Sequence, residues 1–195
     1  MTKAGFVADA QQPGVWHGDK DVTVDLLVPE AIGGRPGRRS AAVGVHGTRT
    51  ARNAAGLEGV LVDRSPVVLT SFEPGDGRRY EMNAAGPCAL LIAKLHKIWE
   101  RRDTPRRLED KDALDVLRIL RAIPTAQLAS SWRALAEDAR STNAAASALG
   151  LLRDLFGDVS SLGCRMAARA VELLEDPAEV AASASALATD LLDAV

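Results

Sequence analysis

Gly86-Pro87-Cys88-Ala89-Leu90-Leu91-Ile92-Ala93-Lys94 is the stretch at which the chain changes texture. A proline directly after a glycine suits the first turn of a helix, where the missing N–H is one of the donors that a helix leaves unpaired in any case. Downstream, alanine and leucine recur at helical spacing and predict helices over 87–102, 109–122, 125–139, 143–156, 160–174 and 178–194. Proline, glycine and short polar clusters separate them, as at Asp103-Thr104-Pro105 and Ile123-Pro124. Upstream, glycine, proline and alternating valine dominate. Gly14-Val15-Trp16-His17 and Val22-Thr23-Val24-Asp25-Leu26-Leu27-Val28 flank the polar Gly18-Asp19-Lys20-Asp21, the pattern of an antiparallel hairpin. Val60-Leu61-Val62, Pro66 to Phe72 and Arg79 to Met82 read as further strands, with Glu73-Pro74-Gly75-Asp76-Gly77 as a turn. The stretch from Pro29 to Gly56 has no clear period, which predicts a functional or mobile loop. The expected class is α+β: a small, mainly antiparallel sheet followed by a helical bundle.

Composition narrows what such a chain does. Its 195 residues carry 24 basic and 26 acidic side chains, a formal net charge of −2, which removes a whole-molecule electrostatic case for nucleic acid or an anionic membrane. The amino terminus lacks the apolar run of a signal peptide, and no apolar stretch approaches the ~20 residues that cross a bilayer, so the chain reads as cytoplasmic with no membrane partner. Cys88 and Cys164 form no metal-ligand or CxxC spacing and read as reduced thiols. No GxxxxGK[ST] or GxGxxG phosphate loop is present, and no internal repeat. His17, His46 and His96 show no metal spacing, and Trp16, Trp99 and Trp132 read as packing residues.

Two places put charge where apolar residues are expected. In the strand from Val22, period-two alternation sets Val22, Val24, Leu26 and Val28 on one face and Thr23, Asp25 and Leu27 on the other. Asp25 there points at water from an outer face, or meets a cation or a metal. On the helix from Pro87, Lys94 projects about 40° from Leu90 and Arg101 about 20°, inside a stripe shared with Leu91, Leu95 and Ile98. On the next helix, Asp112 shares a stripe with Val116, Ile119 and Ile123. Lys94 and Asp112 can meet across the two helices, either as a purely structural pair or as a pair that holds Lys94 toward a phosphate. Lys111, Asp115 and Arg118 read as a solvated face, with Lys111 and Asp115 at i, i+4. Arg35, Arg38, Arg39, Arg49 and Arg52 load the long loop, and Arg101-Arg102 and Arg106-Arg107 flank the turn between the two helices; such patches can attract phosphates or RNA, but without interleaved aromatics they read rather as solvated surface.

In order and spacing, Val22-Thr23-Val24-Asp25-Leu26-Leu27-Val28-Pro29, Gly86 to Lys94 with Arg101-Arg102, and Glu109-Asp110-Lys111-Asp112-Ala113-Leu114-Asp115 together resemble the nucleotidyltransferase superfamily, and most closely its AbiEii-type, toxin-like branch. The likeness covers about residues 15–122, which implies a partial nucleotidyltransferase-like domain over 1–122 and a helical extension over 123–195. It implies that Asp25 is the third catalytic carboxylate, binds Mg²⁺ and accepts the proton of an attacking hydroxyl. Lys94 and Arg101 would lie at the substrate phosphates, with Asp112 in support. The implied partners are a nucleoside triphosphate, a protein or RNA acceptor, and an antitoxin. In-line attack on an α-phosphate needs metal ions to neutralise developing charge, and the family's other two acids come from a Gly-Ser…Asp-x-Asp element that Met1 to Val24 do not contain. The resemblance therefore implies an inactive or incomplete enzyme, and the alternative is a non-catalytic binding or scaffold protein.

Overall fold

The structure is a computed structural model that describes residues 1–33 and 40–195. Arg35, Arg38 and Arg39 of the long loop lie outside the described residues. The chain forms two compact units, Met1–Glu58 and Gly59–Val195. Mixed α and β structure is present, with strands before residue 86 and, apart from one short helix, α-helices after it.

In the first unit, β1 (Val7–Ala8), β2 (Val15–His17) and β3 (Thr23–Asp25) form an antiparallel sheet in that order. The register pairs Val15 with Asp25, Trp16 with Val24 and His17 with Thr23. Between β2 and β3 the turn places Lys20 and Asp21 at φ 57° and 60°, with the Val22 N–H donating to the Asp19 carbonyl at 3.3 Å. Two positive φ values in succession match the right-handed twist of the flanking strands.

The single strand expected from Val22 to Val28 is two strands. At Leu26 the backbone changes partner: its N–H donates to the Gly14 carbonyl at 2.7 Å, while its own carbonyl accepts from the Arg52 N–H at 2.9 Å. Past that point β4 (Leu27–Pro29) runs parallel to β5 (Arg52–Ala54), with Leu27 opposite Arg52. Gly14 makes the exchange possible. Its φ is +83°, and a Cβ there would stand 2.7 Å from both the Arg52 nitrogen and the Leu26 oxygen, so only glycine fits. The alternation itself holds across the break, with Val24, Leu26 and Val28 half-buried and Thr23, Asp25 and Leu27 exposed. Structure also occupies the stretch expected as a loop: α1 (Glu30–Gly33), a 3₁₀ turn at Gly44–His46, and β5. Among the described residues the buried apolar set of this unit is small, comprising Val15, Trp16, Ala41 and Ala51, with the Trp16 indole donating to the Thr50 carbonyl at 3.0 Å.

The second unit opens with a correction. Val60-Leu61-Val62 is no strand: Glu58–Leu61 form a 3₁₀ turn, and the N–H groups of Val62 and Asp63 both donate to the Gly59 carbonyl, at 3.0 and 2.9 Å. A local turn satisfies those donors and leaves nothing for a ladder. β6 (Arg64–Thr70) and β7 (Arg79–Ala85) then form an antiparallel hairpin. Among the described residues the sheet expected as one is therefore three small ones, two antiparallel and one a parallel pair.

Six helices follow: α2 (Pro87–Arg101), α3 (Asp110–Ala122), α4 (Thr125–Glu137), α5 (Thr142–Phe156), α6 (Leu162–Ala170) and α7 (Pro177–Ala194). They share one core, centred on the fully buried Trp132 and Phe156, in which helices before and after residue 122 pack on each other. The Trp132 indole donates to the Ala145 carbonyl at 3.2 Å, which ties α4 to α5. Cys88 and Cys164 are buried and unpaired, and burial pushes their thiols up to about 12 and about 11, out of the range of reactive thiolates. No helix among the described residues is long and apolar enough to cross a membrane.

The start of α2 decides how its charged edge is presented. Gly86 and Pro87 open it as expected, but its cap comes from Asp63, before the hairpin: the Asp63 carboxylate accepts from the Ala89 N–H at 2.9 Å, and its carbonyl accepts from the Gly86 N–H at 2.8 Å. A carboxylate there satisfies one of the four orphan donors and complements the positive end of the helix dipole. A Cβ on residue 86 would stand 1.8 Å from the Asp63 Oδ1, so glycine at that position makes room for the cap. Replacing Asp63 by Ala should lower the unfolding free energy of the chain by about 1 kcal/mol, measured by urea denaturation followed by far-ultraviolet circular dichroism.

Candidate functional site

Two helices, joined by the eight residues 102–109, bring the sequence-predicted charged residues of the second unit to one place. On α2 the core face is Cys88, Leu91, Ile92, Leu95 and Ile98, so Leu90 stands out at 42% exposure and the apolar stripe is centred further round than Leu90 implied. Lys94, Lys97 and Arg101, at i, i+3 and i+7, line one border of that face. On α3, Asp112 lies in the first turn and Asp115 one turn on, next to the buried Ala113, Val116 and Leu117.

The Lys94 ammonium donates to the Asp112 Oδ1 at 2.8 Å and to the Asp115 Oδ2 at 2.7 Å. Lys97 also donates to the Asp112 carboxylate, at 2.8 Å, and the Arg101 guanidinium lies 3.5 Å from Glu109 and 3.9 Å from Asp112. Arg101 also donates to the Arg107 carbonyl at 3.2 Å, which fastens the inter-helix turn. Asp112 is 1% exposed, and its carboxylate stands among three cations. Burial alone would disfavour both charged forms. For Asp112, the hydrogen bonds from Lys94 and Lys97 outweigh that penalty and hold its carboxyl below the usual range; for Lys94, Asp112 and Asp115 outweigh it and raise the ammonium above its ordinary value. Placement in the first turn of α3 favours the anion further. The group is an ionised, internally neutralised cluster.

Sequence reading paired Lys94 with Asp112, and the structure shows that pair. It missed Lys97, and it placed Asp115 on the solvated face with Lys111. Lys111 instead reaches Glu109 at 3.0 Å, and Asp115 takes Lys94 and, at 3.6 Å, Arg118. The signal was present in the spacing: a cation triad at i, i+3, i+7 on one helix and an acid pair at i, i+3 on the next. His96, expected on the polar side, is half-buried against α5, within 3.2 Å of the Ala144 carbonyl. Trp99 is partly buried and carries the Arg102 guanidinium 3.9 Å above its ring.

Asp25 belongs to the first unit. It is exposed, and its Oδ2 accepts from Arg52 at 3.3 Å. Opposite Asp25 in the sheet stands Val15, so the ladder brings it no second carboxylate. A divalent ion needs several oxygen ligands and a surplus of negative charge, whereas Asp25 faces a guanidinium. Among the described residues no group of three or more His, Cys, Asp or Glu is placed to hold a metal ion. Asp25 and the described residues around it do not fit Mg²⁺. Of the loop arginines that are described, Arg52 is held by Asp25, and Arg49 donates to the Asp9 carbonyl at 3.0 Å and to that of Ala10 at 2.5 Å.

No family model, curated protein or solved structure matches the chain.

The cluster has a pH signature. The Asp112 pKa is lowered on folding, so its contribution to stability is full above its unfolded value of 3.8 and is lost as pH falls through the folded value. The Lys94 pKa is raised, so its contribution is full below 10.5 and is lost as pH rises through the folded value. Asp112→Asn should destabilise the chain by about 3 kcal/mol near neutral pH, because it strips a buried cluster of its central charge. The gap to the wild type should shrink as pH is lowered from about 5 to about 2, as the wild-type carboxyl protonates. Urea denaturation of both proteins across that range measures it, and a gap that stays constant would show that Asp112 is not ionised in the folded chain.

Proposed function

We propose that this chain is a non-catalytic binding or scaffold protein. The observation that carries the reading is the state of Lys94: its ammonium is held by two carboxylates at 2.8 and 2.7 Å. A lysine that serves a nucleotide must present its charge to phosphate oxygens, and here the charge is taken up within the protein. Asp112 is occupied in the same way by Lys94 and Lys97, with Arg101 at 3.9 Å. The cluster then holds α2 against α3 in a fixed rotation, which is a structural task.

The nucleotidyltransferase-like reading retains one support, the order of a strand bearing Asp25, a helix bearing Lys94 and Arg101, and a helix that opens on Asp110-Lys111-Asp112. A chain that descends from such an enzyme and has lost its chemistry would keep this order, so the two readings meet in an inactive homologue. They part over nucleotide binding.

Incubation of the full chain with labelled nucleoside triphosphates and Mg²⁺ should give no transfer to protein or RNA, and calorimetry should detect no nucleotide binding tighter than about 1 mM, a level worth only about 4 kcal/mol. Lys94→Met should lower stability and leave both results unchanged. Transfer that Asp25→Asn abolishes would sink the proposal and restore the enzyme.

A further inference from the structure

The β6–β7 hairpin is the part of the second unit that its core does not explain. The two strands pack on each other and on no other element to a comparable extent. Their register pairs Val67 with Met82 and Leu69 with Tyr80 on one face, and Val68 with Glu81 and Thr70 with Arg79 on the other. The first face is apolar. Leu69, Tyr80 and Met82 are each about half or more exposed, at 49%, 62% and 52%, and Phe72 at the tip is wholly exposed. On β7 the alternation Arg79-Tyr80-Glu81-Met82 is that of a strand with one face covered, while β6 also sets Val68, 49% exposed, on the other face. A two-stranded ribbon is marginal in water, and added strands or a packed face are what stabilise it.

The edges of the ribbon differ. A proline within a strand sits with its nitrogen toward solvent because it cannot donate to the ladder, so Pro66 blunts the outer edge of β6. β7 has no proline and opens on Arg79-Tyr80-Glu81. Arg79 and Glu81 are exposed, and neither has an ion-pair partner among the described residues. This triplet is complementary to itself. When two copies of β7 run antiparallel about a two-fold axis, each residue of one strand faces the residue that lies symmetrically across the axis on the other. With the axis at Tyr80, Arg79 faces Glu81 of the second copy and Glu81 faces its Arg79, while the two tyrosines meet. With the axis at Glu81 or at Arg79, like charges face each other directly, which is unfavourable.

We propose that the chain forms a homodimer through β7, pairing antiparallel with β7 of a second copy in the register centred on Tyr80. The product is a four-stranded sheet in the order β6-β7-β7-β6. It closes the open edge, which would otherwise template non-specific pairing, and it places the Arg79–Glu81 pairs on the polar face and the Tyr80 pair on the apolar one. An isologous contact of this kind repeats every interaction twice. The inference stands whether or not the chain binds a nucleotide.

Sedimentation equilibrium of the full chain at several concentrations tests it. The wild type should be a dimer, and Arg79→Glu and Glu81→Arg, each alone, should weaken it by about tenfold or more, since each turns two attractive cross-strand pairs into repulsive ones. An equimolar mixture of the two variants should recover the dimer. One variant then carries an acid at both positions and the other a base at both, so each cross-strand pair between them joins opposite charges. Both positions are exposed, so circular dichroism should report an unchanged fold for the two variants. A wild type that is monomeric at about 200 μM, a concentration at which a specific dimer should be populated, overturns the proposal. A dimer that neither variant weakens, or a mixture that recovers no dimer, overturns the Tyr80-centred pairing.

Discussion

A carboxylate that is 1% exposed and ionised governs the arrangement of the second unit. Asp112 is stable there only because Lys94 and Lys97 donate to it and Arg101 stands nearby. That requirement fixes more than a contact. The three cations must come from one border of α2, so α2 can present only one rotation to α3, and with it one set of core residues to the other helices. The apolar face of α2 packs against α4 and α5 as well as α3. A core of alanine and leucine is permissive about rotation and register, and this chain is rich in both. A buried ion cluster is not permissive, since a shift of one residue would strand a charge.

The same logic constrains function. A lysine beside an acid on neighbouring helices can be read as phosphate-binding machinery or as a strut. What distinguishes the two is whether the charge has anywhere to go. Asp115 supplies a second acid, so two of the three donors of Lys94 and its charge are engaged within the protein. Asp25 shows a parallel outcome at the surface: an acid on the outer face of a strand, satisfied by Arg52. Both residues that most suggested chemistry are locally neutralised, by partners that short motifs do not include.

Legibility differs sharply between levels. The six long helices were legible within a few residues because alanine-leucine periodicity, proline starts and polar breaks are local signals. Only the 160–174 helix is much shorter than expected, ending at Ala170. Strands were less so. The alternation held from Thr23 to Val28, while Val22 is exposed, and the strand divides at Leu26 because the partner changes from β2 to β5, which nothing in this stretch encodes. Val60-Leu61-Val62 has strand-forming side chains in a turn, where the Gly59 carbonyl takes both donors. The Lys94–Asp112 pair was legible from helical projection; Lys97 and Asp115 lay along the same borders, but Asp115 was assigned to the solvated face and Lys97 to none.

The sequence by itself determined where five of the six long helices begin and end to within two residues, and that Lys94 and Asp112 stand on apolar borders, since these follow from local breaks and from a period of 3.6 within single elements. Tertiary structure alone decided which charges meet. Asp63 reaches the start of α2 from 26 residues upstream of Ala89, Asp115 reaches Lys94 across 21 positions, and Arg52 reaches Asp25 across 27. Such pairings depend on how two elements are rotated and packed against each other, and no single segment encodes that.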